Sequence, residues 1–266
     1  MTDTKIISVI NQKGGVGKTT TVINLATALA FKNKKVLIID LDPQGNATTG
    51  FGISNQSNEQ TIYDVLNGNC NFEESIKDTE IDNLKVVTSN VDLSGLEVET
   101  ASENRRAFLL KDKIHEFINR DTNNFSYIFI DCPPSLSLLT VMALVAAKSI
   151  IVPLQAEFFA LEGLSQLMKT IDRIKIKLNS ELNVRGILLT MFDKRNKLSS
   201  EVEIEARKFF KNKVYETVIP RNVRLSEAPS HGQPVLIYDK TCVGSKSYLN
   251  FTDEFLKQEN VMESAA

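Results

Sequence analysis

Short apolar runs separated by amphipathic stretches set the plan of this chain. Residues 5–10, 36–39, 127–130 and 150–152 are almost wholly apolar and rich in β-branched side chains. Runs this short predict strands covered on both faces, as in a parallel sheet. Residues 84–87, 184–190 and 214–219 predict three more strands. Between them apolar residues recur at helical spacing over 19–31 (Val22, Leu25, Ala26, Leu29), 103–118, 161–178, 199–210 and 245–256. Residues 50–82 are less regular: a polar loop over 50–60, then a short helix over 61–66 capped by Thr61. Strands alternating with helices, without a long linker or internal repeat, predict a single α/β domain over residues 1–266. The expected architecture is a doubly wound, mostly parallel sheet with helices on both faces. The tail over 257–266 is expected to fray.

The joint between the first strand and the first helix carries the first chemistry. Gly14, Gly15 and Gly17 lie there, followed by Lys18, Thr19 and Thr20. Glycines let successive backbone N–H groups fold inward around phosphate oxygens, and the helix N-terminus adds its positive dipole end. Lys18 is then set to reach the β- and γ-phosphates and Thr19 to ligate Mg²⁺. A glycine loop alone is compatible with a simple flexible joint; the Lys-Thr pair and the flanking elements favour phosphate. Two of the apolar strands end in carboxylates, Asp40 with Asp42 close behind it, and Asp131. Such strand ends stand beside the loop, where open α/β sheets bind ligands. Asp131 suits a carboxylate that holds Mg²⁺ through water, its plainer alternative being a cap for the next helix. An Asp-x-Asp pair by itself fits either a metal site or a solvated turn.

Composition narrows the class without naming a partner. The chain has 266 residues, 42% hydrophobic and 24% charged, with a net charge of −2. These are the proportions of an ordinary globular protein, and the near-neutral total leaves room for a local basic patch. Cys70, Cys132 and Cys242 are far apart and predict scattered reduced thiols. The first residues lack a basic segment followed by an apolar one, so no secretory signal is expected. The most apolar stretch, 136–154, contains Ser137, Thr140, Lys148 and Pro153, and predicts a helix followed by a strand instead of a membrane span.

The loop departs from the common phosphate-loop pattern in having Gln12 where glycine is usual and a second lysine, Lys13, within it. Lys13-Gly14-Gly15-Val16-Gly17-Lys18-Thr19 resembles the deviant Walker A box of the ParA/MinD group of ATPases. The string from Asp40 to Thr48 (DLDPQGNAT) resembles the switch I segment of ParA proteins. Residues 155–163 (QAEFFALEG) resemble that family's segment near its dimer face, and residues 220–232 (PRNVRLSEAPSHG) are similar to the chromosomal, Soj-like subgroup. The resemblance covers nearly the whole chain. It implies a Mg²⁺-dependent ATPase whose nucleotide is held by Lys13, Gly14, Gly15, Val16, Gly17, Lys18, Thr19 and Thr20, with Asp193 and Pro220 at the adenine. Lys13, Lys18 and Asp42 are the implied catalytic residues, and Thr19, Asp40 and Asp131 the implied metal residues. Asp42 would position the attacking water, and Lys13 would cross a dimer interface to the partner's nucleotide. His231 is expected to be a structural loop residue.

Charge supplies a separate clue. Residues 169–224 hold fourteen Lys or Arg against seven Asp or Glu, a local excess of seven in a chain that is acidic elsewhere. A charge run is usually a solvated face; within the resemblance, Arg195 and Arg224 match DNA-contacting arginines. The implied function is chromosome or plasmid partitioning. ATP would drive a sandwich homodimer that binds DNA without sequence preference, released when a ParB-like partner stimulates hydrolysis. The implied setting is the cytoplasm, on the nucleoid in the ATP state, with no stable membrane anchor. The segment before Lys5 has no helix-turn-helix, which argues against the larger operator-reading plasmid type. Two departures stand out. Lys240-Thr241-Cys242-Val243 replaces a Pro-Arg-Ser-Arg run common in the family, and Met142 stands where asparagine is common. The alternative is a MinD-like, membrane-cycling regulator of division-site placement, but from residue 250 onward Lys257 is the lone basic residue among several acids. An iron–sulfur relative would need paired cysteines that this spacing does not supply.

Overall fold

A computed structural model describes residues 4–54, 59–120 and 124–264; part of the expected polar loop over 50–60 lies outside the described residues. Seven strands form one sheet: β1 Lys5–Val9, β2 Val36–Asp40, β3 Ile76–Asp78, β4 Leu84–Val87, β5 Tyr127–Asp131, β6 Ser149–Gln155 and β7 Asn183–Thr190. Their order is β3-β4-β2-β5-β1-β6-β7, parallel throughout except for β3 against β4. The connections part on either side of β1, which leaves a crevice at its C-terminal end, the usual ligand position in such sheets.

The helices are α1 Lys18–Phe31, α2 Asn46–Thr49, α3 Ile62–Leu66, α4 Leu96–Glu99, α5 Leu109–Arg120, α6 Leu138–Ala146, α7 Ala160–Lys177, α8 Lys197–Phe210, α9 Val223–Glu227, α10 Val235–Tyr238 and α11 Val243–Ser264. Side chains alternate across each strand, so the sheet divides two cores. Ile6, Leu37, Ile39, Ile128 and Ile130 pack toward α5, α6 and α7, while Ile7, Val36, Ile38 and Phe129 pack toward α1 and α11. That alternation, with both faces dry, is why the strands read as unbroken apolar runs. Met142 is fully buried in α6, on the first of these cores. Cys70, Cys132 and Cys242 are free thiols. Thr61 forms the expected cap, exchanging hydrogen bonds with Asp64.

Four expectations need correction. Residues 214–219 make no strand; they touch the sheet only through isolated bridges, Ile187 with Val214 and Phe192 with Pro220. Glu254 of α11 explains the interruption, because its carboxylate accepts the backbone N–H groups of Glu216 at 2.7 Å and Thr217 at 2.9 Å. The helix expected over 103–118 begins later, after a 3₁₀ turn at Arg106–Phe108. The antiparallel edge strand β3 was not expected. The final helix, expected over 245–256, runs from Val243 to Ser264.

Glu259 is what holds that extension. It is 5% exposed and ion-paired with Lys5 at the start of β1 and Arg185 of β7, and it accepts a hydrogen bond from the Tyr127 hydroxyl at 2.9 Å. The Arg185 guanidinium also lies 4.0 Å over the Phe255 ring. Burial raises the Glu259 pKa, but Arg185, Lys5 and Tyr127 outweigh it and hold the carboxyl below its usual range. The sign follows: this stabilisation is present above the ordinary glutamate pKa and is lost as pH falls through the lowered folded value. Glu259→Ala, which strands Arg185 in the interior, should cost about 3 kcal/mol in urea unfolding at neutral pH, and much less in acid.

Candidate functional site

The loop between β1 and α1 is pinned before it turns. Ile10 N–H donates to the Ile151 carbonyl at 3.1 Å, and the Asn11 amide donates to the Pro153 carbonyl at 2.7 Å. The Asn11 side-chain Oδ1 accepts from Lys13 N–H at 3.0 Å, and the Thr190 hydroxyl donates to the Val16 carbonyl at 2.8 Å. Gly15 at φ 72° and Gly17 at φ 89° are left-handed, a conformation a Cβ would strain. The loop thus opens onto the N-terminus of α1. Lys18 folds back over it, donating to the Lys13 carbonyl at 3.2 Å, and is 6% exposed. Burial lowers its pKa against the pull of Asp131, Cys132 and Asp42.

Three carboxylates meet at the strand ends. Asp40 and Asp131 are register partners on β2 and β5, and both are fully buried. Asp40 is well supplied with donors: Thr48 N–H and hydroxyl at 2.8 Å each, and Asp42 N–H at 3.2 Å. Asp42 accepts from Gln44 N–H at 3.0 Å. Neither oxygen of Asp131 has a well-formed hydrogen bond, although the Thr19 hydroxyl stands beside it and stabilises its charge. Burial and the neighbouring Asp40 push the Asp131 pKa well up. Burial raises Asp40 too, against the donors of Thr48 and Asp42. An orphaned buried carboxylate beside a second one and a threonine hydroxyl fits Mg²⁺, a hard cation that takes few protein ligands and fills its shell with water and phosphate oxygens.

An open cavity of about 530 Å³ lies over this arrangement, lined by Gly15, Lys18, Thr19, Asp42, Met191 and Pro229 among others. A second cavity, of about 260 Å³, shares Gly17, Thr20, Met191 and Pro229 as lining and adds Pro220 and Tyr248. Four residues beyond the switch-like segment, the chain meets the 220–232 stretch directly. Gly52 (φ 70°) and Gly232 (φ 63°) touch backbone to backbone, so a Cβ on Gly232 would lie 2.6 Å from the Gly52 Cα.

The structure therefore brings together Gly14, Gly15, Gly17, Lys18, Thr19, Thr20, Asp40, Asp42 and Asp131, with Val16 buried beneath as a backbone acceptor. Pro220 lines the second cavity; Asp193 does not, and its carboxylate is gripped by Arg195, at 3.0 Å from Nε and 2.9 Å from Nη2. That grip holds the Asp193 pKa down at about 2. Lys13 is half exposed and ion-paired with Glu157 of the same chain. Arg195 and Arg224 sit on the surface away from both cavities. His231 stacks on Tyr238 with ring centroids 4.9 Å apart, as befits a structural residue. Two residues of the site escape pattern reading. Thr48 fixes Asp40 from the end of the DLDPQGNAT string, and Met191 lines both cavities in a left-handed conformation (φ 48°) that no local pattern announces.

Comparison with known proteins agrees with this geometry. The AAA domain family matches residues 4–184. The chromosome partitioning protein ParA of Caulobacter vibrioides is 49% identical over 262 residues, covering 98% of this chain and 97% of that protein. The sporulation initiation inhibitor protein Soj of Bacillus subtilis is 48% identical, over 94% of this chain and 97% of its own. Among solved structures, cobyrinic acid a,c-diamide synthase from Mycobacterium smegmatis, with bound ADP and magnesium, superposes with a TM-score of 0.83. It is 31% identical, over 97% of this chain and 96% of that one.

The buried carboxylates make a stability prediction for the ligand-free protein. A carboxyl with a raised folded pKa destabilises the fold above its unfolded pKa, once the unfolded form ionises and the folded form cannot do so freely. Asp131→Asn should therefore raise the melting temperature at neutral pH by about 3 °C. Calorimetry should show the gain shrinking as pH falls to the ordinary aspartate range.

Proposed function

This chain belongs to the ParA/Soj family of chromosome-partitioning ATPases, and from that premise we propose how its site works. The whole chain acts as one nucleotide-driven unit. The observation that carries the reading is the pair of buried strand-end carboxylates, one with orphaned oxygens, directly below a left-handed glycine loop and a buried lysine. ATP lies along the loop, its phosphates held by the N–H groups of residues 13–20 and by Lys18. The Thr19 hydroxyl with Asp131 and Asp40 would hold Mg²⁺, which would supply positive charge to offset that of the phosphates. The base rests against Pro220 and Met191 in the second cavity, with Asp193 outside it.

Hydrolysis then needs positioning and charge. Asp42, 6% exposed and fixed beside the loop, orients the attacking water. Lys13 leaves Glu157, crosses to a second copy, and stabilises charge on the partner's transferring phosphoryl group. ATP occupancy thereby becomes a signal for pairing. The paired form holds DNA through its basic segment without reading sequence, and a ParB-like partner stimulates turnover and release. The protein works in the cytoplasm, on the nucleoid when ATP-bound. The partitioning reading is favoured over the membrane-cycling alternative by relatives 48–49% identical over nearly the whole chain that are chromosome-partitioning proteins or a Soj protein.

Two measurements test the scheme. Asp42→Ala should bind ATP normally and turn it over about a hundredfold more slowly; normal turnover would remove Asp42 from the mechanism. Light scattering of the wild-type protein should show a doubling of mass with MgATP and not with ADP, and Lys13→Ala should lose hydrolysis while keeping nucleotide affinity. A wild-type protein that stays monomeric with MgATP would sink the sandwich.

A further inference from the structure

One residue holds the Asp40 carboxylate with two donors. Thr48, 1% exposed, places both its backbone N–H and its hydroxyl 2.8 Å from Oδ2. Oδ1 receives the Asp42 N–H at 3.2 Å. Each carboxylate oxygen accepts about two hydrogen bonds, so Oδ2 is filled and Oδ1 keeps the spare capacity. The direction of the hydroxyl is fixed as well. Ser89 N–H, just past the end of β4, donates to the Thr48 Oγ1 at 3.2 Å. A hydroxyl carries a single proton, and with its oxygen accepting from Ser89 that proton goes to Asp40. The relay runs one way, from the backbone beyond β4 into the carboxylate.

The local fold of the segment does not depend on this hydroxyl. The turn after β2 closes through Gly45 N–H on the Asp42 carbonyl at 2.9 Å and Gln44 N–H on the Asp42 side chain at 3.0 Å. Helix α2 carries its own backbone bonds, Thr49 N–H to the Gly45 carbonyl at 2.9 Å and Gly50 N–H to the Asn46 carbonyl at 3.0 Å. The neighbouring threonine shows what an ordinary helix hydroxyl does. Thr49 bonds back onto its own turn, donating to the Gly45 carbonyl at 2.9 Å. Thr48 instead bonds outward, to a carboxylate that is in register with Asp131 on the next strand. Nor does Thr48 face the ligand space: Asn46 and Thr49 line the 530 Å³ cavity, and Thr48 is buried behind it. Any effect it has on the chemistry passes through Asp40 and through the segment that carries Asp42.

We propose that Thr48 is a positioning residue for ATP hydrolysis. Its hydroxyl, aimed by Ser89, fixes the Asp40 carboxylate beside Asp131 and closes the segment that holds Asp42 over the site, without touching nucleotide itself. The role rests on the reading of Asp40 and Asp42 given above and adds a residue to which that reading assigns nothing. Groups that orient the carboxylates of a metal site commonly matter nearly as much as the carboxylates themselves.

The test compares Thr48→Val, which keeps the shape and the backbone N–H and removes only the hydroxyl, with Thr48→Ser, which keeps the hydroxyl. Steady-state turnover of ATP and binding of methylanthraniloyl-labelled ATP, with and without Mg²⁺, are measured on the full chain. Thr48→Val should lower kcat by about tenfold to a hundredfold and change KM for ATP by no more than about twofold. It should bind the labelled nucleotide without metal as the wild type does, while the Mg²⁺ concentration that half-saturates the complex rises about tenfold. Thr48→Ser should restore both. Valine leaves the Ser89 N–H unpaired in a dry place; if that variant does not fold, Thr48→Ala, which leaves room for a water there, carries the same comparison. Wild-type kcat and wild-type Mg²⁺ dependence in the hydroxyl-free variant overturn the proposal. Loss of metal-free nucleotide binding along with kcat overturns it too, because the hydroxyl then serves only to keep the site folded, and so does a Thr48→Ser protein as slow as Thr48→Val. If the wild type itself binds and turns over ATP without regard to Mg²⁺, the reading of the carboxylates fails and takes this one with it; if it responds to Mg²⁺ and the variants match it, this proposal fails alone.

Discussion

Two carboxylates that the fold forces side by side, with water excluded, are the constraint on which the rest of the site depends. Asp40 and Asp131 end neighbouring parallel strands in register, and both are fully buried. In a medium of low effective dielectric the repulsion between such charges is several times that in water. The surroundings answer it unevenly. Asp40 receives three donors, two from Thr48 and one from Asp42, while Asp131 is left with a threonine hydroxyl nearby and no well-formed bond. Lys18, itself held in a dry place, supplies part of the missing positive charge. Local stability and the capacity to hold a cation thus depend on one electrostatic arrangement.

Strand order turns that local problem into a site. Asp40 and Asp131 are remote in sequence and become neighbours only because β5 inserts between β1 and β2. The same insertion leaves the crevice above β1, into which the glycine loop opens. Thr48 then acts as a strut. Its hydroxyl bonds Asp40 and accepts the Ser89 N–H at 3.2 Å, tying the short helix α2 to the ends of β2 and β4 together. Asp42 is thus carried on a segment anchored to the ends of two neighbouring strands.

Much of this is written in the chain. The glycine loop with Lys18 and Thr19, the strand-ending aspartates and the dry parallel strands are all local patterns, each with a period or a residue type that has few physical alternatives. What escaped depends on contacts between distant segments. Residues 214–219 have strand-like alternation, but Glu254, almost forty positions later, takes two of their N–H groups. The last helix runs past its amphipathic stretch because Glu259 finds Arg185, Lys5 and Tyr127. Asp193 does not line the 260 Å³ cavity, and its carboxylate is gripped in bidentate fashion by Arg195, two residues on. That spacing marks no rule a sequence reader could apply, since the same two residues are equally free to point apart.

The contact between Gly52 and Gly232 has a mechanical meaning. No side chain stands between the two backbones, so no rotamer change can absorb a displacement of either one. A soft interface would damp motion; this one behaves as a hard stop. When the segment from Asp42 to Gly52 shifts, the turn that closes the 220–232 stretch must travel with it or the contact must open outright. A displacement at one glycine is therefore passed to the other through bare peptide, with no side chain to soften it.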